Sequence, residues 1–288
     1  MKVLISGKNS YIGDKIGAWL LASKDISFEI DFLDVRLDSW KEFNFLGYDV
    51  VIHVAGIVHR KGITNTAIYH KVNTVLPVEV AKRAKSQGVK QFVFFSTMAV
   101  YGMGKTMEGA IITKETPANP REPYGNSKYK AELLLKELEN DKFAIAIIRP
   151  PNVYGKNCKG GYITGYASIV RKLPAIPDAF DDVKQSVLYI DNLTEFCKLV
   201  IINRDRGVFL PQDDKTVNAV ELMSSIAKAV GIKRCTSKLL GLGVGLLSFT
   251  SVVNKGYGGI AYTMDASKYE RGNYIVKPFN EAIKETLV

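Results

Sequence analysis

The segment VLISGKNSYIGDKIGAWL, residues 3–20, decides the fold. An apolar run with strand character leads directly into a glycine-bearing turn, and a helical pattern follows. Gly7 allows the tight turn, Gly13 allows helix and strand to approach closely, and the helix N-terminus presents N–H groups that suit a diphosphate. Ser10 stands where a middle glycine often stands, so the spacing is G-x-x-S-x-x-G. The segment predicts a dinucleotide-binding unit, and a structural turn without a ligand is the alternative.

Apolar strands alternate with helical patterns through the first half of the chain. Runs such as KVLIS, DVVIHVAG and QFVFFST are separated by helical segments such as VLPVEVAKRAKSQG. Short, continuously apolar strands separated by helices imply a parallel sheet that is buried on both faces. We therefore predict an α/β fold with a doubly wound parallel sheet of the Rossmann type, together with a smaller, mixed substrate-binding region.

The alternation breaks near residue 156, in the Gly- and Lys-rich segment GKNCKGGYITGYASIVRKLPAIPD. SVLYIDN, a helix and GVFLPQ then restore the pattern briefly. We expect the dinucleotide-binding domain to comprise residues 1–155 and 186–210. The substrate-binding region is expected to comprise residues 156–185 and 211–288.

Composition narrows the choice of partners. The 288 residues are 47% apolar, which is enough to fill the core of a large domain, and the net charge of +10 suits an anionic partner. The lysines are spread along the chain without a nucleic-acid motif, so a phosphate-bearing small molecule or an anionic membrane surface is favoured over nucleic acid. Three scattered cysteines, three scattered histidines and an apolar opening run predict a reduced, cytoplasmic protein without a metal.

The run LLGLGVGLLSFTSVV, residues 239–253, carries no charge in fifteen residues. It is shorter than the roughly 20 residues that a membrane-spanning helix needs, so no transmembrane segment is expected. A buried helix is the favoured interpretation. A surface that makes peripheral contact with a membrane is the alternative.

An acidic signal follows the second predicted strand, in IDFLDVRLD. A carboxylate there would accept hydrogen bonds from the adenine-ribose hydroxyls and repel a 2′-phosphate, which favours NAD over NADP. Asp34 is the first choice and Asp31 is the alternative. Arg36 would instead receive a 2′-phosphate, so NADP remains open.

The spacing Y-x-x-x-K occurs three times, and on a helix it places an ammonium beside a phenol. Tyr11 and Lys15 belong to the glycine turn, and the two glycines of VYGMGK argue against a helix for Tyr101 and Lys105. Tyr124 alone opens a convincing helix, YGNSKYKAELLLKELEN, about 25 residues after a strand that ends in hydroxyls, FVFFST.

With these pieces in view, the sequence resembles the extended short-chain dehydrogenase/reductase family, in its NAD-dependent epimerase/dehydratase branch that acts on nucleotide sugars. The matching pieces are GKNSYIG, DVVIHVAG, KVN, FSTMAVYG, YGNSK, RPPNVYG and LYIDNL, in family order. They run from residue 7 to residue 193, about two thirds of the chain.

The resemblance implies a hydride transfer at a sugar carbon with Tyr124 as the proton-transferring group. A free phenol has a pKa of about 10, and the Lys128 ammonium with the oxidised nicotinamide is expected to lower that pKa. Lys128 would also hold the nicotinamide ribose. Thr97 would share the proton as a hydroxyl relay, and Ser96 is the weaker candidate.

The resemblance also implies contacts with the cofactor and the sugar nucleotide. Tyr11 and Ile12 would contribute backbone contacts to the diphosphate, and Asn73 would fasten the loop below the cofactor. Ala55 and Gly56 would let the cofactor cross the sheet edge. Asn152 would contact the substrate, as Thr97 and Tyr124 would.

Two departures from the family pattern bear on function. Met98 and Ala99 stand where 4,6-dehydratases of the branch carry an Asp-Glu pair, so a dehydratase is disfavoured. Gln185, preceded by Lys184, stands where an arginine often grips the nucleotide diphosphate. This substitution leaves the nature of the carrier open.

These signals together predict an NAD-dependent 4-epimerase of a nucleotide-linked or diphosphate-linked hexose. A 4-keto-sugar reductase that consumes NAD(P)H is the alternative, and a non-catalytic dinucleotide-binding protein is the rival from another class. The family expectation is a homodimer through a four-helix contact. Tyr129, Leu133 and Leu134 would contribute to that contact or to the core.

Overall fold

The computed structural model describes residues 1–58, 66–103, 107–158 and 162–287. The strands are β1 (Lys2–Ser6), β2 (Glu29–Leu33), β3 (Val50–His53), β4 (Gln91–Phe95), β5 (Ala110–Ile112), β6 (Ala144–Ile148), β7 (Asn152–Tyr154), β8 (Ile176–Pro177), β9 (Val187–Tyr189), β10 (Gly207–Phe209), β11 (Thr236–Ser237) and β12 (Ile260–Tyr262). The α-helices are α1 (Tyr11–Leu21), α2 (Thr66–Tyr69), α3 (Leu76–Ser86), α4 (Pro123–Lys136), α5 (Tyr162–Lys172), α6 (Ile190–Ile202), α7 (Ala219–Ala229), α8 (Lys238–Leu246), α9 (Ser251–Tyr257) and α10 (Phe279–Leu287).

The central sheet has six parallel strands in the order β10-β6-β4-β3-β1-β2. Successive strand residues face opposite sides, and each side is covered by helices. Leu4, Val51 and Phe92 pack with α3 and α4, whereas their neighbours Val3, Ile52 and Val93 pack with α1 and α6. The predicted doubly wound Rossmann architecture is confirmed.

The reversal of strand order defines where a ligand binds in such a sheet. The chain runs outward from β1 to β2 and then returns to place β3 on the other side of β1. The carboxyl ends of these three strands therefore surround a crevice, which is the usual ligand position in doubly wound sheets.

The remaining strands form three small two-stranded sheets, β11-β8, β12-β5 and β7-β9. The six strands of the central sheet all lie within residues 1–155 and 186–210. Helices α5, α7 and α10 contribute buried side chains to the same hydrophobic cluster as β1 and α1. The substrate-binding region therefore shares a core with the sheet, and the two-part division stays a prediction.

The prediction of a buried helix for residues 239–253 is wrong. The segment forms α8, a turn and the start of α9, and it exposes large apolar side chains to solvent. Its interior contact is made through a glycine, so the leucines point away from the core. Among the described residues, no helix is both long enough and apolar enough to cross a bilayer.

Candidate active site

The turn between β1 and α1 is shaped by Gly7. Its φ of +122° lies in a region that side chains rarely adopt, and a Cβ atom there would lie 2.8 Å from Val54 Cγ2 and 2.9 Å from the Ala55 nitrogen. The Gly7 amide donates to the Leu33 carbonyl at 3.0 Å, which brings the turn against the end of β2. Ser10 is the N-cap of α1, where its hydroxyl accepts from the Gly13 amide at 3.2 Å.

A cavity of about 850 Å³ lies at the carboxyl ends of β1, β2 and β3. Six of the residues predicted to bind cofactor line it: Gly7, Ser10, Asp34, Arg36, Ala55 and Gly56. Tyr11, Ile12, Gly13, Asn73 and Lys128 lie outside its lining. A cavity of this size at the strand-order reversal, bordered by the N-terminal turn of a helix, fits a dinucleotide.

Asp34 and Arg36 face each other at the rim of this cavity. The Arg36 guanidinium binds the Asp34 carboxylate through two hydrogen bonds, Nε to Oδ1 at 2.9 Å and Nη2 to Oδ2 at 2.6 Å. These bonds lower the pKa of Asp34 to about 2. Asp31, the alternative residue, accepts from the Tyr48 hydroxyl at 2.6 Å and does not line the cavity.

Tyr124 lies in the first turn of α4, with Pro123 as the first residue of the helix. The Thr97 side chain, which directly follows the hydroxyl-ended strand β4, lies near the Tyr124 phenol and lowers the pKa of that phenol. The Tyr69 ring packs beside it, with 6.4 Å between ring centroids. The structure therefore brings together the phenol and the hydroxyl that the sequence proposed as a relay.

Lys128 is buried one turn further along α4. Its Nζ donates to the Phe95 carbonyl at 2.8 Å and lies 4.7 Å from the centroid of the Phe94 ring. A Cβ built on Gly56 would lie 3.1 Å from this Nζ, so the ammonium sits directly behind the wall of the cavity. Lys128 thus connects the helix that carries Tyr124 to the dinucleotide crevice.

Burial opposes the ionisation of the tyrosine. Desolvation raises the pKa of Tyr124 above its ordinary value, and the nearby Thr97 side chain lowers it by less. Desolvation also lowers the pKa of Lys128 to about 7, against a smaller opposing effect of Glu132. The predicted lowering of the phenol pKa by Lys128 together with the oxidised nicotinamide stays a prediction, and burial weakens the part of it that Lys128 supplies.

Asn73 fastens the loop that follows β3. Its side-chain oxygen accepts from the Ile57 amide at 2.9 Å, and its side-chain nitrogen donates to the Ile57 carbonyl at 3.0 Å and to the Ser127 hydroxyl at 3.1 Å. Ser127 in turn donates to the Tyr124 carbonyl at 2.8 Å. The cavity wall and the start of α4 are therefore held in one hydrogen-bonded unit.

Ser96 and Tyr101 belong to a separate buried network. Ser96 donates to Glu132, and Arg149 binds both Glu132 and the Tyr101 hydroxyl, the latter at 2.9 Å. Ser96 is thus engaged away from Tyr124, which leaves Thr97 as the hydroxyl beside the phenol. Tyr101 is a structural tyrosine, and Lys105 of the same Y-x-x-x-K match lies outside the described residues.

The other predicted residues take different positions. Tyr11 opens α1 and its hydroxyl donates to the Lys156 carbonyl at 3.2 Å, which directs the side chain toward the substrate-binding region. Asn152 begins β7 and is half-buried. Gln185, at the family's arginine position, is buried and accepts a hydrogen bond from the Tyr162 hydroxyl.

Several residues of the site were not predicted from the sequence. Lys8, Asn9, Lys41 and Lys71 line the cavity beside the predicted residues. Asn9 has a φ of +64°, a left-handed conformation that asparagine adopts more readily than most residues. The position of Asn9 directly after Gly7-Lys8, in the glycine turn, could have identified it as a cavity residue. Apart from the net charge, the sequence contained no signal for the three lysines.

Over the described ranges no cluster of three or more His, Cys, Asp or Glu residues is arranged to hold a metal ion. His53 is buried, and its Nδ1 pairs with the Ser6 hydroxyl at 2.7 Å. Desolvation lowers its pKa to about 3, so the ring is neutral at physiological pH. We assign His53 to the structure of the β1–β3 contact.

The Rossmann sheet, the glycine turn and the Thr97–Tyr124–Lys128 set define a dinucleotide-dependent enzyme of the short-chain dehydrogenase type. The sequence model described as the NAD dependent epimerase/dehydratase family matches residues 4–200. The chain belongs to this family.

Two curated relatives are similar to this chain. UDP-glucose 4-epimerase of Vibrio cholerae is 27% identical over 250 residues, which is 79% of this chain and 75% of the relative. N-acetyl-alpha-D-glucosaminyl-diphospho-ditrans,octacis-undecaprenol 4-epimerase of Escherichia coli O157:H7 is 28% identical over 205 residues, covering 69% of this chain and 60% of that enzyme.

Among solved structures, UDP-glucuronic acid 4-epimerase from Bacillus cereus in complex with NAD aligns with a TM-score of 0.74. The alignment covers 99% of this chain and 97% of that one at 15% identity. At this identity the likeness shows the shared fold.

Proposed function

We propose that this protein catalyses NAD-dependent epimerisation at C4 of a nucleotide-linked or diphosphate-linked hexose through a transient 4-keto intermediate. The observation that carries the proposal is the contact between Tyr124 and Thr97, one turn from Lys128 and beside the wall of the dinucleotide cavity. A protein that only binds a dinucleotide has no need of a phenol and a hydroxyl held together at the edge of its crevice.

The residues of the cavity suit NAD in a defined orientation. The N-terminus of α1 would face the diphosphate, and Asp34 would accept from the adenine-ribose hydroxyls. Lys128, whose Nζ lies behind Gly56, would hold the nicotinamide ribose. When bound, NAD supplies hydride chemistry at C4 and an added positive charge near the phenol.

Tyr124 transfers the proton of the C4 hydroxyl. Burial raises the pKa of the phenol, and the positive charge of bound oxidised NAD would lower that pKa toward the working range. Thr97 donates to or accepts from the same sugar oxygen and keeps the proton within the site. Lys128, with its pKa near 7, accepts or releases a proton at neutral pH without a large energetic penalty.

The carrier of the sugar is proposed as a diphosphate. The V. cholerae relative is named for a UDP-sugar and the E. coli relative for an undecaprenyl-diphosphate sugar, and a diphosphate is common to both. Tyr11 and Asn152 stand on the substrate side and are proposed as contacts. Because Gln185 is engaged with Tyr162, the neighbouring Lys184 is the proposed partner of the diphosphate charge.

Two structural proposals accompany the function. A homodimer is supported by Leu133 and Leu134, which are exposed on α4, whereas Tyr129 packs against the cluster around Tyr101 and Tyr262. A reducing location, the cytoplasm, is supported by three cysteines that are all free.

The test compares wild-type protein with Tyr124→Phe on a panel of UDP- and undecaprenyl-diphosphate sugars, with products identified by chromatography and mass. The variant is expected to lose about 100-fold or more in kcat while it binds NADH normally. Tyr129→Phe on the same helix is the matched control. Equal activity of Tyr124→Phe and wild type would refute the mechanism.

The same assay separates the epimerase from the 4-keto-sugar reductase. An epimerase returns its hydride in every turnover, so NADH absorbance stays constant while product accumulates. When a 4-keto-sugar nucleotide is added with NADH, loss of NADH in equal amount to product would identify the reductase. A protein that binds NADH but converts no sugar of either carrier class would favour the non-catalytic alternative.

A further inference from the structure

Helices α8 and α9 and the turn between them carry an exposed apolar surface, which we call the α8–α9 face. Its five large side chains are between 69% and 81% exposed: Leu239, Leu242, Leu246, Phe249 and Val252. Soluble proteins rarely expose a contiguous apolar patch without using it for an interaction. The dinucleotide cavity does not include any of these residues.

The geometry of α8 directs this face outward. Leu239, Leu242 and Leu246 recur at i, i+3 and i+7 and therefore share one side of the helix. Gly241 lies on the opposite side, where an added Cβ would be 1.9 Å from the Asp178 carbonyl oxygen. A glycine at the packed side lets the helix lie flat on the β8 segment, and the leucines are left facing solvent.

The charge of the chain segment that carries the face has one sign. Between Glu221 and Asp265 the sequence contains no acidic residue and five basic ones, Lys228, Lys233, Arg234, Lys238 and Lys255. Lys238 begins α8 and Lys255 lies in α9, three residues after Val252, and both are exposed. Asp178, which contacts α8, lies on the other side of the helix from the leucines.

A basic cavity directly precedes the face in the chain. Lys228, Lys233 and Arg234 line about 590 Å³ of space beside β11. The Arg234 Nε atom is buried and has no hydrogen-bond partner among the described residues. A phosphate group would satisfy this donor.

We propose that the α8–α9 face binds the surface of an anionic lipid bilayer, with the leucines and Phe249 in the acyl boundary and the basic residues on lipid phosphates. Short helices with leucine and phenylalanine on one side and lysines at the edge are suited to the bilayer interface. A protein partner is the other occupant that the measurements below distinguish. The proposal does not depend on which reaction the protein catalyses.

The face is connected to the substrate-binding region by hydrogen bonds. The Gly256 carbonyl of α9 accepts from Tyr166, and the Tyr257 hydroxyl donates to the Pro177 carbonyl at 3.1 Å. Tyr166 contacts Tyr162, with 2.9 Å between hydroxyl oxygens, and Tyr162 donates to Gln185. Bilayer contact at α9 would therefore hold the substrate-binding region next to the lipid headgroups.

The test is co-sedimentation of the full chain with vesicles of phosphatidylcholine alone and of phosphatidylcholine with one quarter phosphatidylglycerol. Wild-type protein is expected to bind the anionic vesicles and to lose binding as salt is raised. The double variant Leu242→Glu/Leu246→Glu and, separately, Lys238→Glu/Lys255→Glu are each expected to lower the partition at least about tenfold. Leu46→Glu and Lys24→Glu, at exposed positions away from the face, are the matched controls.

A second measurement uses a variant that keeps the face apolar. Tryptophan emission of Phe249→Trp is expected to shift to shorter wavelength on addition of anionic vesicles, beyond any shift of the two native tryptophans. Failure of wild-type protein to bind either vesicle would overturn the proposal. So would equal binding by the face variants and the controls, or a dimer that Leu242→Glu/Leu246→Glu dissociates while vesicles do not bind.

Discussion

Glu132 and Arg149 form a buried ion pair beneath the proposed relay, with 2.5 Å between Arg149 Nη2 and Glu132 Oε2. Both side chains are almost fully removed from solvent. Glu132 lies one helical turn after Lys128, and Ser96, which also binds it, precedes Thr97. The ion pair therefore positions the end of β4 and the helix α4 at the point where they meet.

Glu132→Gln is expected to lower the free energy of unfolding by about 3–5 kcal/mol, because the Arg149 charge would remain buried without its partner. Denaturant unfolding followed by circular dichroism measures the change. Glu137→Gln, at an exposed position of the same segment, should alter stability by less than about 0.5 kcal/mol. The double variant Glu132→Gln/Arg149→Met should recover part of the loss, and a loss equal to the sum of the single variants would contradict the pairing.

Lys128 is expected to make stability rise with pH. Its folded pKa is about 7, whereas an unfolded lysine titrates near 10.4. Between these values the unfolded chain binds the additional proton, so the free energy of unfolding gains up to about 1.4 kcal/mol per pH unit. The contribution of Lys128 to the free energy of unfolding is complete above the pKa of the unfolded lysine, and it is lost as the pH falls through the folded pKa of about 7. Urea unfolding of the cofactor-free protein at pH 7, 8 and 9 measures the slope.

Lys128→Met should remove this rise and increase stability at pH 7, where wild type carries the cost of a buried charge. Lys130→Met, at an exposed position of α4, is the matched control and should keep the wild-type slope. Parallel slopes for Lys128→Met and wild type would show that the lysine is not desolvated.

Asp34 and Arg36 are expected to set the choice between NAD and NADP. Asp34→Ala should weaken NADH binding about tenfold, since two hydrogen bonds to the ribose hydroxyls would be lost. Arg36→Ala should weaken NADPH binding and leave NADH binding within about threefold, because the arginine is the group placed to meet a 2′-phosphate. Calorimetric titration with both cofactors gives the ratios, with Asp25→Ala as an exposed control outside the cavity. A larger effect of Arg36→Ala on NADH than on NADPH would reverse the assignment.

Leu133 and Leu134 are expected to lie in a dimer contact. Leu133→Glu/Leu134→Glu should convert a dimer to a monomer in light scattering coupled to size exclusion, because charged groups would enter an apolar contact. Leu21→Glu, on the exposed side of α1, should leave the dimer intact. A wild-type protein that is monomeric at tens of micromolar concentration would contradict the proposal.

The Rossmann half of the fold was predictable because local and long-range signals agree there. Strands such as Val50–His53 are short and buried along their whole length, as expected in a sheet covered on both faces, and Gly7 and Gly13 lie where β1 turns into α1. The pairing of Tyr124 with Thr97 was also predictable, since the carboxyl end of β4 and the start of α4 meet at one sheet edge.

Burial and orientation could not be read from the sequence. The run at residues 239–253 is apolar on most sides, and whether its leucines face in or out depends on the contact of Gly241 with Asp178, which are far apart in the chain. The pKa directions of Tyr124 and Lys128 depend on desolvation by residues from several elements. Asp34 is distinguished from Asp31 by its place in the cavity lining and by the hydrogen bond that engages Asp31 with Tyr48.

The pairing of β5 with β12 has a consequence for the order in which the protein folds during its synthesis. Ala110 pairs with Ile260, and Ile112 pairs with Tyr262. Strand β5 therefore meets its partner β12 only after the ribosome has made the residues that follow α8 and α9. The Rossmann strands β1 to β4 emerge long before. The β5–β12 pair can therefore form only when translation is nearly complete.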